Sequence, residues 1–153
     1  MEHDEVRVME THIDDMNPEL LGFLMERLLD EGALDVAFSP LQMKKNRPGV
    51  KLTVITAPSL LEHLARIILL ESTAIGVRHY PAERLTLARH TELRESSLGP
   101  VRVKLLSEEG VVVRVAPEFE ECRRLALECG LPLAEVYRIV ERETGLETAT
   151  PQR

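Results

Sequence analysis

Two short polar stretches carry the residue types best suited to holding a charged ligand. Glu10-Thr11-His12-Ile13-Asp14-Asp15-Met16-Asn17-Pro18-Glu19 presents adjacent carboxylates after an alternating segment. Leu41-Gln42-Met43-Lys44-Lys45-Asn46-Arg47-Pro48-Gly49 presents three cations within four residues. Carboxylates suit a hard cation such as Mg²⁺ or Mn²⁺, and Lys and Arg suit phosphate oxygens. Folded together, the stretches could hold a metal–polyphosphate, with Asp14 and Asp15 on the metal and Lys44, Lys45 and Arg47 on the phosphates. Each stretch also has a plainer reading. The aspartates can equally satisfy free N–H groups of a following helix. A run of cations is by default a solvated loop. The basic stretch lacks the GxxxxGK[ST] pattern, so it is not a Walker A loop.

A third cluster is Glu71-Ser72-Thr73-Ala74-Ile75-Gly76-Val77-Arg78. Ser72 and Thr73 can donate hydroxyl and backbone hydrogen bonds, Gly76 permits close backbone approach, and Arg78 and Arg84 add anion partners. Taken singly, each is an ordinary turn residue or surface cation. No Ser-His-Asp order, nucleophile elbow or metalloprotease helix is present. Cys122 and Cys129 stand seven residues apart in an expected helix. That is two turns, roughly 10 Å, too far for a disulfide. Reduced thiols packed in the core are the simpler expectation.

The elements that would position these residues follow from periodicity. Val6 to Thr11 alternates as a half-buried strand and runs into Asp14-Asp15. Asn17 is a good N-cap and Pro18 suits the first helical position, so a helix follows and stops near Gly32. Leu34 to Met43 reads as a second strand, with Pro40 marking an edge or a bulge. Arg47-Pro48-Gly49 reads as a turn, and Lys51 to Ala57 as a third strand. Pro58 and Ser59 open a second helix ending near Glu71, and Thr73 to Tyr80 reads as a fourth strand. The order β-α-β-β-α-β is the split βαβ, or ferredoxin-like, arrangement.

Beyond it, Arg84 to His90 alternates, and Val101–Leu106 and Val111–Val115 form a hairpin around Ser107-Glu108-Glu109-Gly110. Two helices follow, the first opened by Pro117-Glu118 and ended by Gly130. The expected fold is therefore α+β: a ferredoxin-like half over residues 1–80, then a strand, hairpin and helical extension over 81–146 packed as one compact unit, then a polar tail over 147–153. A chain of 153 residues suffices for one domain, or for two small lobes sharing a core. Its formal charge of −7 argues against a nucleic-acid polymer as partner. No apolar run approaches the roughly 20 residues of a membrane span, and the first residues carry no signal pattern. A cytoplasmic protein is expected, and the edge strands and aliphatic faces suit a homo-oligomer.

The quoted stretches, together with Pro117-Glu118-Phe119-Glu120 and Cys122, resemble the C-terminal domain of the LarC family, the nickel-insertion proteins of nickel-pincer nucleotide cofactor biosynthesis. The resemblance covers nearly the whole chain in four ordered motifs. His12 departs from the Asn more usual there. The resemblance implies a CTP-binding module with Mg²⁺ or Mn²⁺ on the triphosphate. It would be part of a CTP-dependent cyclometallase, a nickel chelatase of the lyase class. Such an enzyme inserts Ni²⁺, as a substrate, into pyridinium-3,5-bisthiocarboxylic acid mononucleotide, forming Ni–S and Ni–C bonds.

Under that resemblance Asp14 and Asp15 would position the triphosphate metal. Lys44, Lys45, Arg47, Ser72, Thr73 and Arg78 would meet the phosphates. A full-length member would carry an N-terminal domain with a His-rich segment, so the C-terminal domain by itself is expected to bind nucleotide without completing insertion. No catalytic residue or nickel ligand is assigned; Cys122, Cys129, His12, His63, His79 and His90 qualify only by donor type. Two other classes remain open: a small-molecule-sensing regulatory domain, and an oligomerisation module of a larger enzyme.

Overall fold

The computed structural model describes residues 1–145, and the expected polar tail over 147–153 lies outside them. The chain divides into two compact units: His3–Arg84, and Leu85 onward together with Met1–Glu2. A junction at residues 80–81 and a single compact unit were expected. The division lies between Arg84 and Leu85, inside the fourth strand, which runs to Thr86. Each unit has its own apolar core.

The unit His3–Arg84 contains β1 (Glu2–Ile13), α1 (Pro18–Asp30), β2 (Asp35–Met43), β3 (Arg47–Thr56), α2 (Leu61–Glu71) and β4 (Arg78–Thr86), with β1 and β4 lacking only their outer ends. The sheet order β2-β3-β1-β4 is the split βαβ arrangement expected from the sequence. β3 runs antiparallel to both β1 and β2, with Ile13 opposite Val50 and Met43 opposite Arg47. Inward side chains Met9, Leu52 and Val54 meet Leu24 and Leu28 of α1 and Leu64 of α2, all fully buried. Burying each of these contributes about 1.5–3 kcal/mol. Between the buried positions Met9, Thr11 and Ile13, Glu10 and His12 project from the other face of β1. Pro40 does lie on an edge strand, where its missing N–H breaks no ladder bond to a further strand.

Two local readings are corrected. Arg47-Pro48-Gly49 is not a turn but the start of β3, paired with Met43, Gln42 and Leu41. The chain reverses instead at a single 3-10 turn over Lys44–Asn46, where Lys45 and Asn46 take left-handed φ of 60° and 56°. Asn tolerates that region better than most residues. Pro48 lies beyond Val50, the last β3 residue paired with β1, so the proline interrupts no bond between those strands. The fourth strand starts at Arg78 rather than Thr73. Residues 73–77 form a loop: Ser72 Oγ accepts the Ala74 N–H at 3.2 Å, and Thr11 Oγ1 donates to the Gly76 carbonyl at 2.8 Å.

The second unit contains β5 (Ala88–Ser96), β6 (Gly99–Glu108), β7 (Val111–Pro117), α3 (Phe119–Cys129) and α4 (Leu133–Thr144). Its antiparallel sheet has the order β5-β6-β7. The strand expected over Arg84–His90 is split, because β4 ends at Thr86 and β5 begins at Ala88. No Gly or Pro marks that break, so alternation reads straight through it. Val101, Val103 and Leu105 pack on Cys122 and Leu125 of α3 and Val136 of α4. Cys122 is buried, whereas Cys129 is exposed and is not the core residue expected. No described helix is long and apolar enough to cross a membrane.

Candidate functional site

The end of β1 sets the position of both aspartates. Ile13 is buried and paired with Val50, which fixes the strand up to Asp14. Asn17 Oδ1 then accepts the Glu19 N–H at 3.0 Å and Pro18 opens α1. Asn17, not the aspartates, is therefore the side-chain cap in this helix. Gly49 allows the start of β3 to press against this corner. A Cβ there would lie 2.8 Å from the Ile13 carbonyl oxygen and 2.8 Å from Met43 Sδ.

Three segments line one cavity of about 600 Å³: Asp14 and Asp15 after β1, Lys44 and Arg47 around the 3-10 turn, and residues 73–78 before and into β4. Arg47 Nη1 approaches Asp14 Oδ2 at 3.4 Å, and Thr73 Oγ1 donates to Asp15. Six of the eight residues singled out from sequence thus meet here: Asp14, Asp15, Lys44, Arg47, Thr73 and Arg78. Lys45 and Ser72 do not line the cavity. Lys45 occupies the left-handed corner of the turn. Ser72 Oγ donates to the Ile68 carbonyl at 2.6 Å and so closes the end of α2.

The sequence reading did not single out Glu10 or Thr11 as part of this wall, and it left His12 open. All three line the cavity. Glu10 Oε1 accepts from Lys51 Nζ at 3.0 Å, and its Oε2 accepts from Arg78 Nε at 3.1 Å. The Lys51 ammonium and then the Arg78 guanidinium hold the Glu10 carboxyl below the usual glutamate range. Arg78 Nη2 lies 2.6 Å from His12 Nε2. Polar residues on the outer positions of a strand whose alternate positions are buried were the available signal.

The other metal-capable residues are dispersed. His63 pairs with Glu31 at 2.8 Å, His90 lies 4.0 Å from Glu92, and His79 is exposed on β4. Burial pushes the Cys122 thiol pKa up, with Glu141 and Glu121 adding to the shift. Among the described residues no group of three or more His, Cys, Asp or Glu side chains could hold a metal ion unaided. Of the three carboxylates on the cavity wall, Glu10 is taken by Lys51 and Arg78, so Asp14 and Asp15 are the ones that could meet a cation whose remaining ligands come from elsewhere, beside cations and hydroxyls suited to an anion.

Comparison with known proteins agrees with the resemblance. The family model described as nickel insertion protein matches residues 1–137. A protein named for nickel insertion from Geotalea uraniireducens is 68% identical over 142 residues, covering 93% of this chain and 36% of its own length. One from Geobacter sulfurreducens is 60% identical over 144 residues, covering 94% and 37%. The chain thus spans about a third of these relatives.

Among solved structures, the apo form of LarC2 superposes with a TM-score of 0.87 at 36% identity, covering 94% of this chain and 99% of that one. LarC2 is described as the C-terminal domain of a cyclometallase involved in the synthesis of the NPN cofactor of lactate racemase. Protein MK0293 from Methanopyrus kandleri gives a TM-score of 0.60 at 30% identity, covering 92% and 88%. This chain belongs to the nickel insertion protein family and corresponds in fold and extent to the C-terminal domain of its LarC members.

Proposed function

We propose that the cavity beside Asp14 binds the triphosphate of CTP together with Mg²⁺ or Mn²⁺, as the nucleotide-binding part of a nickel-inserting cyclometallase. The observation that carries this reading is the convergence of Asp14, Asp15, Lys44, Arg47, Thr73 and Arg78 on one cavity. The donor set fits the divalent ion. Mg²⁺ is commonly held by one or two carboxylates plus phosphate oxygens and water, and with Glu10 engaged by Lys51 and Arg78 the cavity offers Asp14 and Asp15. Once bound, the ion would gather and neutralise phosphate oxygens.

The chain's own residues do the rest. Lys44 enters no ion pair with a carboxylate among the described residues, so its ammonium is available to a phosphate oxygen. Arg47, 3.4 Å from Asp14, would turn toward the phosphates and leave that carboxylate to the metal. Thr73 keeps Asp15 oriented through its hydroxyl. No side chain here acts as a covalent nucleophile. In the longer relatives the bound nucleotide would organise nickel transfer into pyridinium-3,5-bisthiocarboxylic acid mononucleotide.

Calorimetric titration with CTP in Mn²⁺, in Mg²⁺ and in EDTA tests the reading, with ATP and UTP as controls. Metal-dependent binding that prefers CTP is the expected result. Absence of nucleotide binding by folded protein overturns the cavity as a self-sufficient site.

A further inference from the structure

Glu10 is a third carboxylate on the wall of a cavity whose Lys44, Arg47 and Arg78 suit an anionic ligand, and unlike Asp14 and Asp15 it is not assigned to the metal. Its side chain is 16% exposed, whereas Arg78 beside it is 55% exposed. Simple electrostatics makes such a carboxylate unfavourable to phosphate binding. Its geometry suggests a different role. Glu10 uses both oxygens, one on Lys51 of β3 and one on Arg78 at the start of β4, so it joins two strands that flank β1. His12, two residues along the same face, takes a second contact with the same arginine at 2.6 Å.

Which guanidinium atoms are used matters. A guanidinium carries five N–H donors in a rigid plane. Nε and Nη2 present one edge of that plane, and Glu10 and His12 occupy this edge. The opposite end, formed by Nη1 and the outer N–H of Nη2, stays available, and Arg78 lines the cavity. Two parallel N–H groups at that end match two oxygens of a phosphate. An arginine held on one edge also gives up less side-chain freedom when its other end binds.

We propose that Glu10 is a positioning residue of the anion site: with His12 it fixes one edge of Arg78, so that the free end of the guanidinium meets a phosphate of the ligand. The proposal rests on the reading of this cavity as a polyphosphate site. Its sign separates it from a simple counter-charge. Removing a carboxylate that only repels the ligand tightens binding. Removing one that aims Arg78 weakens it.

The test is a double-mutant cycle on the full chain. Affinity for tripolyphosphate and for CTP, each with Mg²⁺, is measured by calorimetry for the wild type, Glu10→Gln, Arg78→Ala and the double variant. Glu10→Asp serves as the conservative partner, and thermal melting confirms that each variant folds. Glu10→Gln is expected to lose affinity by about fivefold or more for both ligands, Glu10→Asp to recover part of it, and Glu10→Gln to cost nothing further once Arg78 is Ala.

Tighter or unchanged binding by Glu10→Gln overturns the proposal, as do losses that multiply independently in the double variant. Should Glu10→Gln fold poorly, His12→Ala, which removes the other contact on the same guanidinium edge, replaces it in the cycle. A loss of affinity that vanishes once Arg78 is Ala supports the role, and unchanged or tighter binding overturns it. A wild type that binds neither tripolyphosphate nor CTP refutes the polyphosphate reading itself and removes this proposal with it.

Discussion

Lys44 and Lys45 look interchangeable as a pair of adjacent cations, yet the backbone separates them. Lys44 lines the cavity, whereas Lys45 sits at φ 60° in the corner of the turn and does not. Charge-assisted hydrogen bonds contribute about 1.5–3 kcal/mol each, equivalent to roughly tenfold to a hundredfold in affinity. Lys44→Ala should therefore weaken MgCTP binding by at least about tenfold, and Lys45→Ala by about twofold or less. Calorimetry on the two single variants decides it, and equal losses would place both ammonium groups on the ligand.

Residue types alone singled out side chains that the fold brings to one cavity, because few side chains can hold metal or phosphate. They did not give the direction of each side chain. That depends on whether the turn falls at Lys45-Asn46 or at Pro48-Gly49. Gly49 illustrates the point. Its value lies in the missing Cβ, since a methyl would meet a backbone carbonyl at 2.8 Å, not in a left-handed turn. Gly49→Ala should lower stability by about 1–3 kcal/mol, seen as a lower urea midpoint with unchanged slope.

At the scale of elements, the most legible features were those with local chemistry. Asn17-Pro18 opened α1 where it was expected, and Gly130 ended α3 in the left-handed conformation at φ 64°. Asn17→Ala removes the acceptor for the Glu19 N–H and should cost about 1 kcal/mol. Because the cap stands two residues after Asp15, the variant should also weaken metal-dependent nucleotide binding. Thermal melting and calorimetry on the same sample separate the two effects.

The elements read least well were set by contacts distant in sequence. The loop over 73–77 is tied by Thr11 and Asp15 from the other end of the unit, and no local pattern announces that. The cysteines of α3 make a similar case, since helical periodicity does not say where the core stops. Cys122 is buried with its thiol pKa pushed up by burial, and Cys129 is exposed. A thiol reagent such as 5,5′-dithiobis(2-nitrobenzoate) should label one cysteine in native protein and both in denaturant. Rapid labelling of two under native conditions would contradict the packing of α3.

At the scale of the whole molecule, the ferredoxin-like order was readable because short loops leave few alternatives for a βαββαβ chain. The division into two units was not, since no Pro- or Gly-rich linker marks Arg84–Leu85 and each core is aliphatic. Both units nevertheless share one response to acid. In His3–Arg84, hydrogen bonding to Arg84 lowers the Asp4 pKa, and Lys51 and Arg78 lower that of Glu10. In the other unit, Ser97 and Arg142 lower Glu143. Burial raises Glu121, but its bonds to Arg124 and to the Arg102 N–H outweigh this and the net shift is downward.

A carboxylate whose pKa is depressed in the folded state stabilises the fold above its unfolded value, here 4.5 for Glu and 3.8 for Asp, and that stability is lost as pH falls through the folded value. Net charge acts in the opposite direction over a higher range. At −7, self-repulsion is relieved as pH drops toward the isoelectric point near 5.3. Urea midpoints should therefore hold steady or rise slightly from pH 7 to about 5.3, then fall below about 4.5, in both units. A midpoint that declines steadily from pH 7, or stays flat down to pH 3, would show that these ion pairs contribute nothing to the folded state.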